Sequence, residues 1–245
     1  MLLIIQNDHR VPPGVFGEIL REMKIPFRTV HPYAGDALPA LAETPAVLIL
    51  GGYMGVHDEA DYPFLIPLKR FIRDAAEAGT PLLGSCLGGQ LLAQVLGGEV
   101  RSHQCGEKGL QEICLTSAGQ NDPLFAGLPA AFAAFEWHND SFTVPPGALH
   151  LAASAACPGQ AFRYRNAWGV QFHPEVDAAI VESWSTPVDP QGEHLAAFAA
   201  GEIAHAKLAG RLLQNFLGLT AGAGKNLALA HSLHPAKVES PLPPS

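Results

Sequence analysis

Short apolar runs alternate with longer stretches of helical periodicity along the first hundred residues of the chain. A strand, a helix and a further strand form the βαβ unit, which builds a parallel sheet with helices packed on its faces. The predicted strands are residues 2–6, 27–30, 46–50 and 81–85, and the predicted helices are residues 15–23, 64–77 and 87–96. The alternation therefore predicts an α/β fold of three layers, in which a doubly wound, mostly parallel sheet lies between two layers of helices.

The pattern changes after residue 100 to short strand-like segments, separated by Asn-Asp-Pro, Pro-Pro-Gly and Cys-Pro-Gly turns. We interpret residues 111–115, 131–135 and 161–164 as antiparallel strands added to the same sheet. Apolar residues at helical spacing predict a last helix at residues 193–216. A chain of 245 residues suits one large α/β domain. We expect this domain at residues 1–217 and an Ala/Gly/Pro-rich tail at 218–245, to which we assign no function.

Charge and hydropathy argue against several classes of protein. The formal net charge is −8 and no cluster of Lys and Arg occurs, so we expect neither nucleic acid nor an acidic membrane surface as a partner. No apolar stretch approaches the ~18 residues of a membrane span, and the first apolar run is shorter than a signal peptide requires. The four cysteines lie far apart without a CxxC pair, unlike a disulfide framework or a zinc cluster. We expect a cytoplasmic protein with reduced thiols.

A cysteine stands where a predicted strand runs into a predicted helix, in the segment Pro81-Leu-Leu-Gly-Ser-Cys-Leu-Gly-Gly-Gln90. In a turn this sharp the residues two positions before and after the nucleophile must be small, and here they are Gly84 and Gly88. The turn would project Cys86 outward at a helix start, where the dipole favours a thiolate. A buried structural cysteine and a phosphate-binding turn are the alternatives. The paired glycines argue against the first, and the missing lysine of GxxxxGK[ST] argues against the second.

A cysteine nucleophile needs a base, and the segment Trp168-Gly-Val-Gln-Phe-His-Pro-Glu175 offers one at the end of a short strand. Strand alternation puts residues i and i+2 on one side, so His173 and Glu175 can point the same way. The carboxylate would then hold one ring nitrogen while the other takes a proton from Cys86. A solvated or capping histidine is the alternative for this position taken alone.

Together the two segments resemble the class I glutamine amidotransferases, the family whose domain supplies ammonia to GMP, carbamoyl phosphate, anthranilate and other synthases. The family pattern GxCxGxQ stands here as Gly84-Ser-Cys86-Leu-Gly88-Gly-Gln90, and the family's HPE stands as His173-Pro174-Glu175. Its Gly-Gly turn corresponds to Leu50-Gly51-Gly52-Tyr53-Met54, and its SHGD-type loop to Trp137-His138-Asn139-Asp140. The resemblance covers about residues 46–216. Within the family, the chain is similar to the amidotransferase domain of GMP synthase.

The resemblance implies a flavodoxin-like fold and assigns roles to particular residues. Cys86 would be the nucleophile, His173 the base and Glu175 the residue that orients the base. The backbone N–H groups of Gly52 and Leu87 would form the oxyanion hole, and the substrate-binding residues would be Gln90, His138, Asn139 and Asp140. Asn139 replaces a frequent Gly, and Asn tolerates positive φ, so the loop can still close. A polar turn between strands is the alternative for this loop. Gly89 replaces a frequent His that is not part of the triad.

The implied reaction is hydrolysis of the γ-amide of L-glutamine through a γ-glutamyl thioester, without a metal or other cofactor. The chain has no room for a synthase domain beside the amidotransferase domain, so the ammonia would pass to a separate synthase subunit or be released. Two alternatives stay open: a γ-glutamyl hydrolase or peptidase with the same triad, and a non-catalytic subunit of this fold.

Overall fold

A computed structural model describes residues 1–220, and its first half alternates strands and helices. The strands are β1 (Leu2–Ile5), β2 (Phe27–Val30), β3 (Val47–Ile49) and β4 (Leu82–Ser85), and the helices are α1 (Gly14–Glu22), α2 (Leu65–Glu77) and α3 (Leu87–Val95). Short 3₁₀ turns lie at Pro32–Ala34 and Leu41–Glu43. Each of these strands and α-helices agrees with its predicted range to within one residue at either end. The apolar periodicity therefore predicted this half of the fold correctly.

The second half is richer in β structure. Its strands are β5 (Val100–Arg101), β6 (Glu107–Leu115), β7 (Ala131–His138), β8 (Ser141–Phe142), β9 (Leu149–Ala153), β10 (Ala161–Tyr164) and β11 (Ala167–Val170). Its helices are α4 (Ser117–Gln120), α5 (Ala178–Ser185) and α6 (Glu193–Thr220), with a 3₁₀ turn at Pro123–Phe125. Helix α6 continues past residue 216 to Thr220, and residues 221–245 of the expected tail lie outside the described residues. Within residues 1–220 no helix combines the length and apolarity needed to cross a membrane.

Nine strands form one mixed sheet in the order β2-β1-β3-β4-β11-β10-β9-β6-β7. Strands β2, β1, β3, β4 and β11 are parallel to one another, and β10, β9, β6 and β7 continue the sheet with antiparallel pairings. Strands β5 and β8 form a separate two-stranded ribbon. Both the parallel sheet and the added antiparallel strands are confirmed.

The core has two parts because alternate residues of the parallel strands point to opposite faces of the sheet. On one face Leu2, Ile4 and Leu48 pack with residues of α1 and α6. On the other face Leu3, Ile5, Val47 and Ile49 pack with residues of α2 and α3. The sheet is thus the middle of three layers. In such a sheet, ligands bind outside the carboxyl ends of the strands, which is where β4 delivers Cys86.

Candidate active site

The turn between β4 and α3 places Cys86 at the N-cap of α3 with φ +48° and ψ −112°. A non-glycine residue at positive φ is strained by about 1 to 3 kcal/mol, and such strain is characteristic of a nucleophile elbow. A Cβ on Gly84 would lie 2.5 Å from the backbone of Gly88, and a Cβ on Gly88 would approach the carbonyl oxygen of Ile49 more closely than real Cβ atoms do. Both positions therefore require glycine, as the sequence predicted.

Gly89 has a packing reason that the sequence analysis did not find. A Cβ at this position would lie 2.6 Å from the carbonyl oxygen of Val170, on the neighbouring strand β11. The same carbonyl accepts a hydrogen bond from the backbone N–H of Cys86 at 2.9 Å. The elbow is thus pressed directly against the end of β11. A run of small residues after a candidate nucleophile was the signal that could have indicated this close packing.

His173 and Glu175 follow β11 and form a buried pair. Nδ1 of His173 donates a hydrogen bond to Oε1 of Glu175 at 2.7 Å. The backbone N–H of His173 donates to the carbonyl oxygen of Phe135 on β7 at 2.8 Å. Burial lowers the pKa of His173, but the charges of Cys86 and Glu175 and hydrogen bonds to both raise it well above its ordinary value. The ring thus lies between Cys86 on one side and Glu175 on the other, and this environment favours its charged form.

Gly51 lies between Cys86 and His173 in the turn that follows β3. A Cβ on Gly51 would lie 2.9 Å from Cε1 of His173 and 3.5 Å from Cβ of Cys86, so the two side chains meet at this glycine. Only 6% of Cys86 is exposed, because these neighbours cover the side chain that the elbow projects from the sheet. The sequence predicts an outward thiol, whereas the structure places this thiol in a covered site.

Gly52 and Leu87, the residues predicted to supply the oxyanion hole, also lie together. A Cβ on Gly52 would lie 2.7 Å from Cδ2 of Leu87. Leu87 is the first residue of α3, and the first N–H groups of a helix have no partner within the helix. The positive end of the helix dipole adds to this potential. Leu87 directly follows Cys86, so both residues lie close to the elbow, and their role as an oxyanion hole stays a prediction.

The predicted substrate-binding residues form one polar group next to the elbow. Nε2 of Gln90 donates to the carbonyl oxygen of Asp140 at 2.9 Å, and Nδ1 of His138 donates to the same oxygen at 2.9 Å. The carboxylate of Asp140 accepts hydrogen bonds from Oγ of Ser102 and from the backbone N–H of His103. Gln90, His138 and Asp140 are thus brought together, and the carboxylate of Asp140 fastens this loop to the loop before β6.

Asn139 lies in the same loop, and its backbone differs from the expectation. Positive φ was expected to let the loop close, yet Asn139 is not among the residues with positive φ. The loop closes against Gly106 instead, where a Cβ would lie 3.2 Å from Cα of Asn139. His103 and Cys105, with φ of +55° and +54°, carry the left-handed backbone of this region. The positive φ is therefore found in the facing loop.

Two buried glutamates near His138 were missed by the sequence analysis. Nε2 of His138 lies 3.3 Å from Oε2 of Glu136 and 3.6 Å from Oε2 of Glu107. Among the described residues this is the one group of His, Cys, Asp and Glu whose ligand atoms, all within 4.8 Å of one another, could hold a metal ion. No metal was expected from the sequence. One predicted strand begins after Glu107 and the other ends before Glu136, so the pairing could not be predicted.

Aromatic side chains enclose the His173 side of the site. The ring of Trp184 meets the ring of His173 edge-on at 4.8 Å between centroids, and Nε1 of Trp184 donates to the carbonyl oxygen of Arg10. The guanidinium of Arg10 lies 4.2 Å above the ring of Tyr53, which is 78% exposed. These contacts limit access of water to His173, while Tyr53 forms an open rim.

A family model described as glutamine amidotransferase class-I matches residues 20–180 of the chain. The glutamine amidotransferase-like protein YfeJ of Salmonella typhimurium is 33% identical over 171 residues, which is 66% of this chain and 72% of that protein. A glutamine-hydrolysing GMP synthase of Thermomicrobium roseum is 38% identical over 59% of this chain but only 26% of its own length. A glutamine-hydrolysing GMP synthase subunit of Pyrococcus abyssi is 37% identical over 44% of this chain and 57% of its own length.

Two solved structures resemble the whole described fold. A glutamine amidotransferase from Thermotoga maritima has a TM-score of 0.80 at 31% identity and covers 88% of this chain and 96% of its own. A glutamine amidotransferase from Methylobacillus flagellatus has a TM-score of 0.81 at 29% identity and covers 89% of this chain and 94% of its own. The similarity therefore extends over the antiparallel strands as well as over the parallel half.

Proposed function

Because the chain belongs to the class I glutamine amidotransferase family, we propose that it hydrolyses the γ-amide of L-glutamine to glutamate and ammonia. One observation supports this proposal most strongly. The hydrogen-bonded pair of His173 and Glu175 meets Cys86 at Gly51, in a covered site at the carboxyl ends of β4 and β11. A nucleophile, a base and a group that orients the base are the parts that covalent hydrolysis of an amide requires.

In the first half-reaction the thiolate of Cys86 attacks the γ-carbonyl carbon. The negative charge that develops on the carbonyl oxygen is stabilised by the N–H group of Gly52 and by that of Leu87, which is the first residue of α3. The imidazolium of His173 then gives its proton to the departing nitrogen, and ammonia leaves a γ-glutamyl thioester on Cys86. The raised pKa of His173 suits this step, because a proton must be on the ring before the C–N bond breaks.

In the second half-reaction the neutral ring of His173 takes a proton from water, and the hydroxide attacks the thioester. The C–S bond breaks, glutamate is released, and the proton on His173 restores the ion pair with the Cys86 thiolate. Glu175 keeps the ring in one tautomer throughout, because its carboxylate accepts from Nδ1 and leaves Nε2 for the proton transfers. No step of this cycle needs a metal or another cofactor.

The loop of residues 138–140 and Gln90 are proposed to bind the α-amino and α-carboxylate groups of glutamine. Gln90 lies one turn after Cys86 in α3, and the side chains of Gln90 and His138 both donate to the carbonyl oxygen of Asp140. We propose that the ammonia passes to a separate synthase subunit, since similar proteins include subunits of GMP synthase. A cytoplasmic location, without nucleic-acid or membrane partners, remains part of the proposal.

Product analysis with the purified full-length chain tests the proposal. L-Glutamine and a set of γ-glutamyl amines are supplied separately, and glutamate and ammonia are measured. We expect glutamine to be turned over with the highest kcat/KM. A higher kcat/KM for a γ-glutamyl amine would indicate a γ-glutamyl hydrolase and contradict the proposed glutaminase activity. If the chain is folded and its copurified partner is present but neither substrate is turned over, the protein is a non-catalytic subunit. Glutamine-dependent transfer in the presence of that partner would identify the acceptor.

A further inference from the structure

The two carboxylates and the imidazole near the loop of residues 138–140 form what we call the His138 cluster: Glu107, Glu136 and His138. Glu107 on β6 lies directly opposite His138 on β7, and Glu136 lies on the same face of β7 two residues earlier. All three side chains are buried, and Glu136 has no exposed surface. Among the described residues no hydrogen-bond donor pairs with either oxygen of Glu136 in good geometry. The ion-pair contact to His138 is therefore its main interaction.

The ring of His138 connects this cluster to the loop on its other side. Nε2 faces the two carboxylates, whereas Nδ1 donates to the carbonyl oxygen of Asp140 at 2.9 Å. The same carbonyl accepts from Nε2 of Gln90, which lies on the helix that starts at Cys86. The ring thus spans the gap between the antiparallel strands and the wall of the candidate site.

While Glu107 and Glu136 are ionised, only one protonation state of the ring satisfies both of its sides. A neutral imidazole carries a single N–H, so one nitrogen has a lone pair. With the proton on Nδ1, the lone pair of Nε2 would face the carboxylates of Glu107 and Glu136, which repel it. With the proton on Nε2, the lone pair of Nδ1 would face the carbonyl oxygen of Asp140. The imidazolium has a donor on each side and fits without conflict.

We propose that His138 is held as an imidazolium that clamps the loop of residues 138–140, and that Glu136 and Glu107 are the positioning residues that keep it charged. The proposal deepens the proposed function and rests on it, because this loop is the segment proposed to bind glutamine. A neutral His138 would keep its one proton on Nε2, facing the carboxylates, so the bond from Nδ1 to Asp140 would be lost and substrate binding would weaken as a consequence.

The electrostatics of the surrounding groups agree with this geometry. Burial lowers the pKa of His138, but the polar contacts of Nε2 with Glu107 at 3.6 Å and Glu136 at 3.3 Å, together with the charges of Glu136 and Cys86, raise it to about 10. Burial has the opposite effect on a carboxyl group and raises the pKa of Glu136, although His138 and His173 act to lower it. On Glu107 burial acts in the same direction, but His138, Ser154 and Gln160 outweigh it and lower the pKa. The buried thiol of Cys157, whose pKa rises to about 12, also faces the two glutamates.

The sign of the pH dependence follows from the raised pKa of His138. The stabilising effect of the charged ring is complete below the ordinary value of 6.5, and it is lost as the pH rises through about 10. The loop is thus clamped throughout the neutral range. Without the charge of Glu136, the pKa of His138 should fall by about 1 to 3 units, which is the usual effect of an opposite charge in contact. The clamp would then open between about pH 7 and pH 9.

Titration of the histidine ring signals by NMR tests the cluster without reference to enzyme activity. The full chain is compared with Glu136→Gln, and His138→Gln serves to assign the signal. We expect His138 to stay protonated through about pH 9 in the wild type and to titrate about 1 to 3 pH units lower in Glu136→Gln. Glu112→Gln, the same change at an exposed position of β6, should leave the signal unchanged. Glu107→Gln should act in the same direction as Glu136→Gln and replaces it if that variant does not fold.

Three outcomes of these measurements would overturn the clamp. A His138 ring that is neutral at pH 8 in the wild type would contradict it, and so would a pKa that neither glutamate variant changes. A divalent cation bound one per chain in the purified wild type, and lost in Glu136→Gln, would also overturn it, because a metal ion would then stand in place of the Nε2 proton.

Steady-state kinetics then link the cluster to the site. Between pH 7 and pH 9 we expect the ratio of the KM for glutamine in Glu136→Gln to that in the wild type to rise about fivefold or more. The charge-preserving variant Glu136→Asp should keep much of the wild-type dependence of KM on pH. The control variant Glu112→Gln should show the same dependence as the wild type. An active wild type with a flat KM ratio would overturn the clamp and leave the proposed function intact. An inactive wild type with the expected NMR titrations would overturn the proposed function, while the charged state of the His138 cluster would stand.

Discussion

Replacing Glu175 with Gln tests how far the chemistry depends on the charge beside His173. The two side chains are buried and joined at 2.7 Å between Oε1 and Nδ1. Gln keeps the size of the side chain and an acceptor oxygen but removes the charge. A contacting opposite charge shifts a pKa by about 1 to 3 units, which corresponds to about 1.4 to 4 kcal/mol. We therefore expect the pKa of His173 to fall by that amount.

The expected kinetic result follows from the role of the imidazolium. The ring is charged below its pKa, so activity that needs the charged form declines as the pH rises through that value. In Glu175→Gln this alkaline limb should lie about 1 to 3 pH units lower than in the wild type. Loss of the orienting group should also reduce kcat/KM by about 10²- to 10⁴-fold at the optimum. Turnover should remain measurable, whereas His173→Ala, which lacks the proton carrier, should be close to inactive.

The assay is the initial rate of ammonia release from glutamine across about pH 5.5 to 10, with kcat/KM fitted at each pH. Glu182→Gln is the matched control, because it makes the same substitution at an exposed position of the nearby helix α5. Circular dichroism verifies that both variants are folded. An alkaline limb at the wild-type position, with kcat/KM within about twofold of the wild type, would refute the role assigned to Glu175.

Two further predictions concern the elbow. Cys86→Ala should abolish glutamine hydrolysis while lowering the free energy of unfolding by no more than about 1 kcal/mol. The control variant Cys114→Ala, at an exposed cysteine, should keep full activity. Turnover by purified Cys86→Ala would contradict the assignment of Cys86 as the nucleophile. Gly88→Ala should destabilise the protein by about 3 kcal/mol in chemical denaturation, since its Cβ would overlap the carbonyl of Ile49. Gly218→Ala, in an open part of α6, should stabilise it by about 0.5 to 1 kcal/mol, and equal effects of the two changes would refute the packing argument.

The parallel half of the fold could be predicted because its signals are local. Apolar runs the length of a strand alternate with amphipathic stretches, and Gly79, at φ +74°, follows the end of α2 as a helix-terminating glycine does. The elbow could also be predicted, because the spacing of Gly84 and Gly88 about Cys86 reflects a steric requirement of a single turn. Features set by neighbours in the chain were therefore predicted with errors of about one residue.

The polar interior of the site could not be predicted because its partners are distant in the chain. Strand β6 begins earlier and β7 ends later than expected, since the two pair from Glu107↔His138 to Cys114↔Ala131. The polar residues at the ends of these strands are typical of turn or surface positions. Burial of Glu136 depends on a cationic partner that only the strand register supplies. A propensity argument assigns such a residue to the exterior, so this part of the site required the tertiary structure.

The position of the site follows from the role of β11, which joins the two halves of the sheet. On one side β11 is parallel to β4, and the pairing of Val170 with Ser85 sets the ends of the two strands level. Cys86 follows one strand and His173 follows the other, so this register brings the two segments side by side. On its other side β11 begins the antiparallel strands, which reach Phe135 and His138. A one-residue slip of β11 would turn its side chains to the opposite faces of the sheet and move His173 away from Cys86. The register of β11 is therefore the structural feature on which the proposed chemistry most depends.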